Sequence, residues 1–98
     1  MSRKLFYRAP ARQEFDEAVN WYLTHSIQAS EDFVHRVNQV INEILSKPKR
    51  YPLYYQDIRE APVPGFPFCV YYRVVPTRIV VVSVFHQSRD PAILLTRR

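Results

Sequence analysis

With one glycine in 98 residues, the chain has almost no position where a backbone of positive φ is free of side-chain strain. A phosphate-cradling loop needs several such positions and is therefore excluded. The single cysteine, Cys69, cannot form an internal disulfide and suits a reducing compartment. No apolar run approaches the ~20 residues of a membrane span, and the N-terminal stretch MSRKLFYRAPARQEF lacks the apolar core of a signal peptide. A soluble cytoplasmic protein without membrane contact is expected. His25, His35 and Cys69 share no ligand-like spacing, so neither a metal nor another cofactor is expected.

What the chain does have is apolar and aromatic. At 47% hydrophobic and 14% aromatic residues, it can fill a packed core and is not disordered. Ninety-eight residues make one domain, 1–98, since two would each be too small. Eight prolines impose rigid, extended connections. The net charge of +5 is unevenly spread. Residues 1–46 carry five Lys/Arg and six Asp/Glu, a balance of −1, whereas residues 47–98 carry nine and three, a balance of +6. The basic half is either a solvated surface or a face for an acidic partner, protein or nucleic acid.

Residues 4–9 read as a short strand ended by Pro10, which suits the first turn of a helix. Ala11, Phe15, Ala18, Val19 and Tyr22 recur at helical spacing to about Thr24. Ser26 is the expected N-cap of a second helix, in which Phe33, Val34, Val37, Val40, Ile41, Ile44 and Leu45 form one stripe. Glu31 and Asp32 are expected in its first turn and Lys47 in its last, before Pro48. So short a link makes the pair an antiparallel αα-hairpin. Residues 49–56 read as a loop and 57–63 as an edge strand.

Two β-forming stretches then follow, 68–75 and 78–86, separated by Pro76 and Thr77. Phe68, Val70, Tyr72 and Val74 share one face of the first. The second places Val80, Val82 and Val84 on one face and Ile79, Val81 and Phe85 on the other, so it lies inside the sheet. The expected fold is α+β, a two-layer β-αα-βββ arrangement with the helical hairpin on a small, mostly antiparallel sheet. The N-terminal strand and the strand 57–63 are its possible edges, and the sequence leaves open which of them is free.

The hairpin delivers His86-Gln87-Ser88-Arg89-Asp90-Pro91 to one end of that sheet. The remaining chemistry is basic and aromatic: Arg59, Tyr71, Tyr72, Arg73, His86 and Arg89. Metal-free RNA cleavage needs a base, an acid and cations around the phosphorane, roles that His, Tyr and Arg can fill. The plainer reading makes Tyr72 core, Arg59 and Arg73 cross-strand surface residues, and His86 a strand end. Mid-strand Cys69 reads as a small apolar residue, not a nucleophile.

The ordered set Trp21-Tyr22, Phe33, Pro48…Tyr51-Pro52…Arg59, Phe66-Pro67-Phe68…Tyr72 and His86…Arg89-Asp90-Pro91 resembles the RelE/ParE superfamily of toxins from type II toxin–antitoxin modules, over nearly the whole chain. In RelE-type members, which cut mRNA at the ribosome, the resemblance implies an Arg early in the 68–75 strand and a C-terminal Tyr. Here Cys69 stands at that position and no Tyr follows Tyr72. If the chain were RelE-like, Arg59, Arg73, His86 and Arg89 would be catalytic.

The His-x-x-Arg-Asp-Pro ending looks instead like the ParE branch, linked to plasmid stabilisation, whose studied members poison DNA gyrase without cleaving RNA. That branch implies growth arrest through a binding surface, with Arg73, His86, Arg89, Arg97 and Arg98 as target-binding residues and no small-molecule substrate. It also implies an acidic antitoxin wrapping the toxin by helix packing and strand addition. A ribosome-dependent mRNA endonuclease, and an inactive relic or binding module on the same scaffold, are the alternatives.

Overall fold

In the computed structural model, which describes residues 3–87, 92 and 94, the chain folds in the order β1 (Lys4–Tyr7), α1 (Ala9–Leu23), α2 (Ile27–Ser46), β2 (Leu53–Tyr55), β3 (Ile58–Pro62), β4 (Phe68–Val74) and β5 (Arg78–His86). Pro10 lies in the first turn of α1, where its missing N–H has no intrahelical partner to lose. Ala11, Phe15 and Ala18 form the buried stripe of α1. Three residues after α1 ends, Ser26, in extended backbone, accepts the Ala29 N–H at 3.2 Å and starts α2. Because the cap is Ser26, Glu31 and Asp32 fall in the second turn instead of the first, and Lys47 is the C-cap. The Ser30 hydroxyl donates to the Val19 carbonyl at 3.3 Å, tying the two helices together.

The five strands run in the order β1-β5-β4-β3-β2. β1 is parallel to β5, and the other three pairings are antiparallel. The β4–β5 hairpin closes over Pro76 and Thr77, where Val75 and Arg78 exchange N–H···O bonds of 3.0 and 3.4 Å.

One strand departs from the sequence-based expectation. The stretch 49–56 holds β2, so β3 is flanked on both sides and the sheet edges are β1 and β2. Tyr55 pairs with Ile58 across Gln56 and Asp57, and Gln56 takes φ 50°. A tight turn normally announces itself by Gly or Asn. This one is made by a glutamine in the left-handed region and left no such mark.

Both faces of the sheet are apolar, as the 68–75 and 78–86 stretches imply. The helices cover a core that includes Phe33, Val37, Val70, Tyr72, Ile79, Val81 and Val84. On the other face Ile58, Cys69, Tyr71, Val80, Val82 and Phe85 pack with fully buried Leu94. Phe68, Val70, Tyr72 and Val74 share the helix face as expected. For β5 the expected grouping fails beyond Val82. Tyr71 pairs with Ser83 but Tyr72 with Val81, so Val82 is an extra, bulged residue. The bulge shifts the alternation, placing Val84 with Ile79 and Val81, and Phe85 with Val80 and Val82.

Phe33 joins the layers. Its ring lies 6.0 Å from Phe15 and 5.1 Å from Tyr22 in the helical hairpin, and 5.2 and 5.3 Å from Phe66 and Phe68 below. Removing a fully buried Phe leaves a cavity worth about 3–5 kcal/mol. Phe33→Ala should therefore shift the denaturant midpoint down by that energy with the m-value unchanged. A loss under about 1 kcal/mol would mean that the layers are held elsewhere.

Candidate functional site

The strand register decides which of the expected site residues can meet. His86 lies opposite Phe68, with the rings 5.6 Å apart. Arg73 lies opposite Val80 and Ile58, at the other end of β4. At about 3.4 Å per residue their backbones are about 17 Å apart, so they do not form one patch at the sheet's end. Arg59 lies opposite Tyr72 on the helix face, near the Arg73 end. Arg89, Arg97 and Arg98, with Asp90 and Pro91, lie outside the described residues.

Each described candidate near that end is engaged in holding the fold. Arg59 Nη1 donates to the carbonyls of Tyr51 at 2.6 Å and Lys49 at 3.3 Å. The Tyr72 hydroxyl donates to the Pro48 carbonyl at 2.7 Å. Together they pin the segment between α2 and β2 onto the sheet. Tyr51 donates to Glu43 at 2.6 Å, and Arg50 bridges the same carboxylate at 3.3 Å. Arg73 Nε contacts Asp57 Oδ2 at 2.9 Å, bracing the turn that carries Gln56. On the opposite face Tyr71 stacks on Phe85 at 4.8 Å and donates to Glu60 at 2.7 Å. Cys69 is buried there, and burial raises its thiol pKa, disfavouring the nucleophilic thiolate.

Glu14 was not singled out in the sequence, yet it anchors α1 to the open flank of β5. Its Oε1 accepts the Val84 N–H at 3.1 Å and the Ser83 hydroxyl at 2.8 Å, beyond the point where β1 ends. No periodicity signals this role, because the bulge that turns Ser83 and Val84 toward the helix is itself unmarked. Beside it, a cleft of about 230 Å³ opens between α1 and the sheet, lined by Ala18, Trp21, Phe68 and Val84 among others.

Trp21 is 57% exposed, with Leu23 and Ile27 also exposed near the αα turn. The indole stacks at 4.2 Å on His25. Its backbone carbonyl takes the Thr24 hydroxyl at 2.6 Å and lies 2.9 Å from His25 Nδ1, which fixes the end of α1. Leu53 and Tyr54 are exposed on the outer strand β2. Among the described residues no three His, Cys, Asp or Glu gather as a metal would require, and no helix is long and apolar enough to cross a membrane.

A family model described as the ParE toxin of the type II toxin–antitoxin system parDE matches residues 5–91. The chain belongs to the ParE toxin family. The solved structure "Chromosomal ParDE TA system from P. aeruginosa" superposes with a TM-score of 0.73 at 15% identity, over 86% of this chain and 95% of that one. The likeness extends the ParE assignment to the fold, two helices on a mixed five-stranded sheet. No curated protein matches the chain significantly in sequence.

Five phenols of this ParE-family chain are held in the protonated form. Burial, then the Glu43 hydrogen bond, pushes Tyr51 up to about 12. Burial likewise raises Tyr71, with Glu60 adding to it, and also Tyr7, Tyr22 and Tyr72. A pKa raised in the folded state means that the unfolded chain releases its proton first. Stability is then fully present below the ordinary phenol pKa of about 10 and is lost as pH climbs toward 12. Thermal melts should show a steady midpoint from pH 8 to about 10 and a fall above it, with phenolate absorbance at 295 nm appearing alongside unfolding. A midpoint unchanged through pH 11.5 would contradict this.

Proposed function

We propose that the protein is a cytoplasmic toxin that arrests growth by binding DNA gyrase, and that a cognate acidic antitoxin wraps and neutralises it. The observation that carries the reading is how the candidate side chains are used. Arg59, Arg73, Tyr71 and Tyr72 hold backbone carbonyls and carboxylates of the fold, and His86 stands at the far end of β4 from Arg73. RNA cleavage needs a base, an acid and cations converging on one phosphate. An inhibitor needs a surface only.

Apolar anchors for such partners are present at Trp21, Leu23 and Ile27 and along the β2 edge at Leu53 and Tyr54. A net charge of +5 suits an acidic antitoxin. Family membership over residues 5–91 supports the same reading.

Purified protein titrated into gyrase with relaxed plasmid should abolish supercoiling in a dose-dependent way. Adding a small acidic protein encoded beside its gene should restore it. Normal supercoiling together with codon-dependent mRNA cuts on ribosomes would overturn the proposal in favour of an endonuclease. Harmless overexpression of folded protein would reduce the chain to a binding module on a ParE scaffold.

A further inference from the structure

The outer edge of the sheet at β2 carries backbone groups and charges that the fold does not use. Leu53 pairs with Arg59 on β3, and the Glu60 N–H donates to the Pro52 carbonyl at 3.1 Å. In an antiparallel ladder, a bond between those flanking residues brackets a pair whose own N–H and C=O groups turn away from each other. The Leu53 peptide groups therefore point off the sheet, where β2 is the last strand among the described residues. The Leu53 side chain is 58% exposed. Tyr54, on the reverse face, lies 5.2 Å from Tyr71 and is already in use there.

Cations gather at the head of this edge. Residues 47–50 form a turn, closed by the Arg50 N–H on the Lys47 carbonyl at 3.1 Å. Tyr72 holds the Pro48 carbonyl, and Arg59 holds those of Lys49 and Tyr51, so the turn is fixed to the sheet. The side chains of Lys47, Lys49 and Arg50 are left exposed. The acidic residues of this region are each engaged by the chain itself: Glu43 by Tyr51 and Arg50, Asp57 by Arg73, and Glu60 by Tyr71. Among the described residues, neither lysine has a carboxylate partner.

We infer that the β2 edge is a strand-addition site for an extended acidic segment of a partner protein. The segment exchanges two backbone bonds with Leu53, lays an apolar side chain against it and carries carboxylates to Lys47 and Lys49. Nucleic acid would meet the cations equally well, but it offers a strand edge no peptide groups that both donate and accept. A second copy of this chain offers only its own three-residue β2, far short of the roughly 1,200 Å² that a stable interface buries. A flexible segment has no such limit, because it can continue past β2 along the turn. The site is argued from the edge and its charges alone, so it can fail while the gyrase reading stands, and the reverse.

The test is an NMR titration of the full isotope-labelled chain with a peptide of about ten residues that alternates valine and glutamate. The Leu53 amide should shift most, and its hydrogen exchange, fast in the free chain, should slow about ten-fold or more. The Glu60 amide, already bonded to Pro52, should change little. Raising salt from about 50 to 200 mM should weaken binding. The double variant Lys47→Ala, Lys49→Ala should bind more weakly and lose most of that salt dependence, with the fold intact because both side chains are exposed. The same peptide with prolines at its two central valines keeps its charge, and should bind about ten-fold more weakly or worse. Absence of shifts at about 1 mM peptide would overturn the inference. So would equal binding of the proline peptide, which would make the turn a diffuse electrostatic patch, or shifts centred away from β2.

Discussion

The structure depends on one constraint: its two inner strands are apolar on both faces and must be covered twice. β4 and β5 carry Val70, Tyr72, Ile79 and Val81 toward the helices and Cys69, Tyr71, Val80 and Val82 away from them. A helical hairpin satisfies one side, locked by Phe33 among the rings of both layers. Leu94 closes over the other. With the interior of the sheet given to packing, polar side chains are left for the rims. There most of them tie loops down: Arg59 and Tyr72 hold residues 48–51, Arg73 holds Asp57, and Glu14 holds the flank of β5. Buried or half-buried polar groups cost about 1–3 kcal/mol when unsatisfied, so these engagements are enforced by the fold itself.

Much of that fold was legible in the sequence, because helical periodicity and turn chemistry are local. The apolar stripes of both helices, the Ser26 cap and the Pro76-Thr77 hairpin all lie within a few residues of their signals. What escaped was non-local or unmarked. β2 is three residues long and turns through a glutamine instead of a glycine. The bulge at Val82 exists only in relation to Tyr71 and Tyr72 on another strand.

The candidate site shows the same division more sharply. Arg73 and His86 belong to one continuous block of sequence, which invites placing them together. Antiparallel pairing sends them to opposite ends of β4, because His86 returns to Phe68 while Arg73 stays near the hairpin turn. The types of residue available to the site could be read in advance. Which of them face one another could not, since register is set by the whole sheet.

The chain is therefore a ParE-family scaffold in which Arg59, Arg73, Tyr71 and Tyr72 are occupied in structure, while Trp21, Leu23, Ile27, Leu53 and Tyr54 are exposed on its surface. The central claim is that activity resides in that surface and not in proton transfer. The most direct test removes the two phenolic hydroxyls in the double variant Tyr71→Phe, Tyr72→Phe and compares growth on induction with that of the unsubstituted chain. The account predicts a folded protein destabilised by about 1–3 kcal/mol that arrests growth as strongly as its parent. A double variant that is equally well folded and abundant in cells, yet harmless where the parent is toxic, would contradict it.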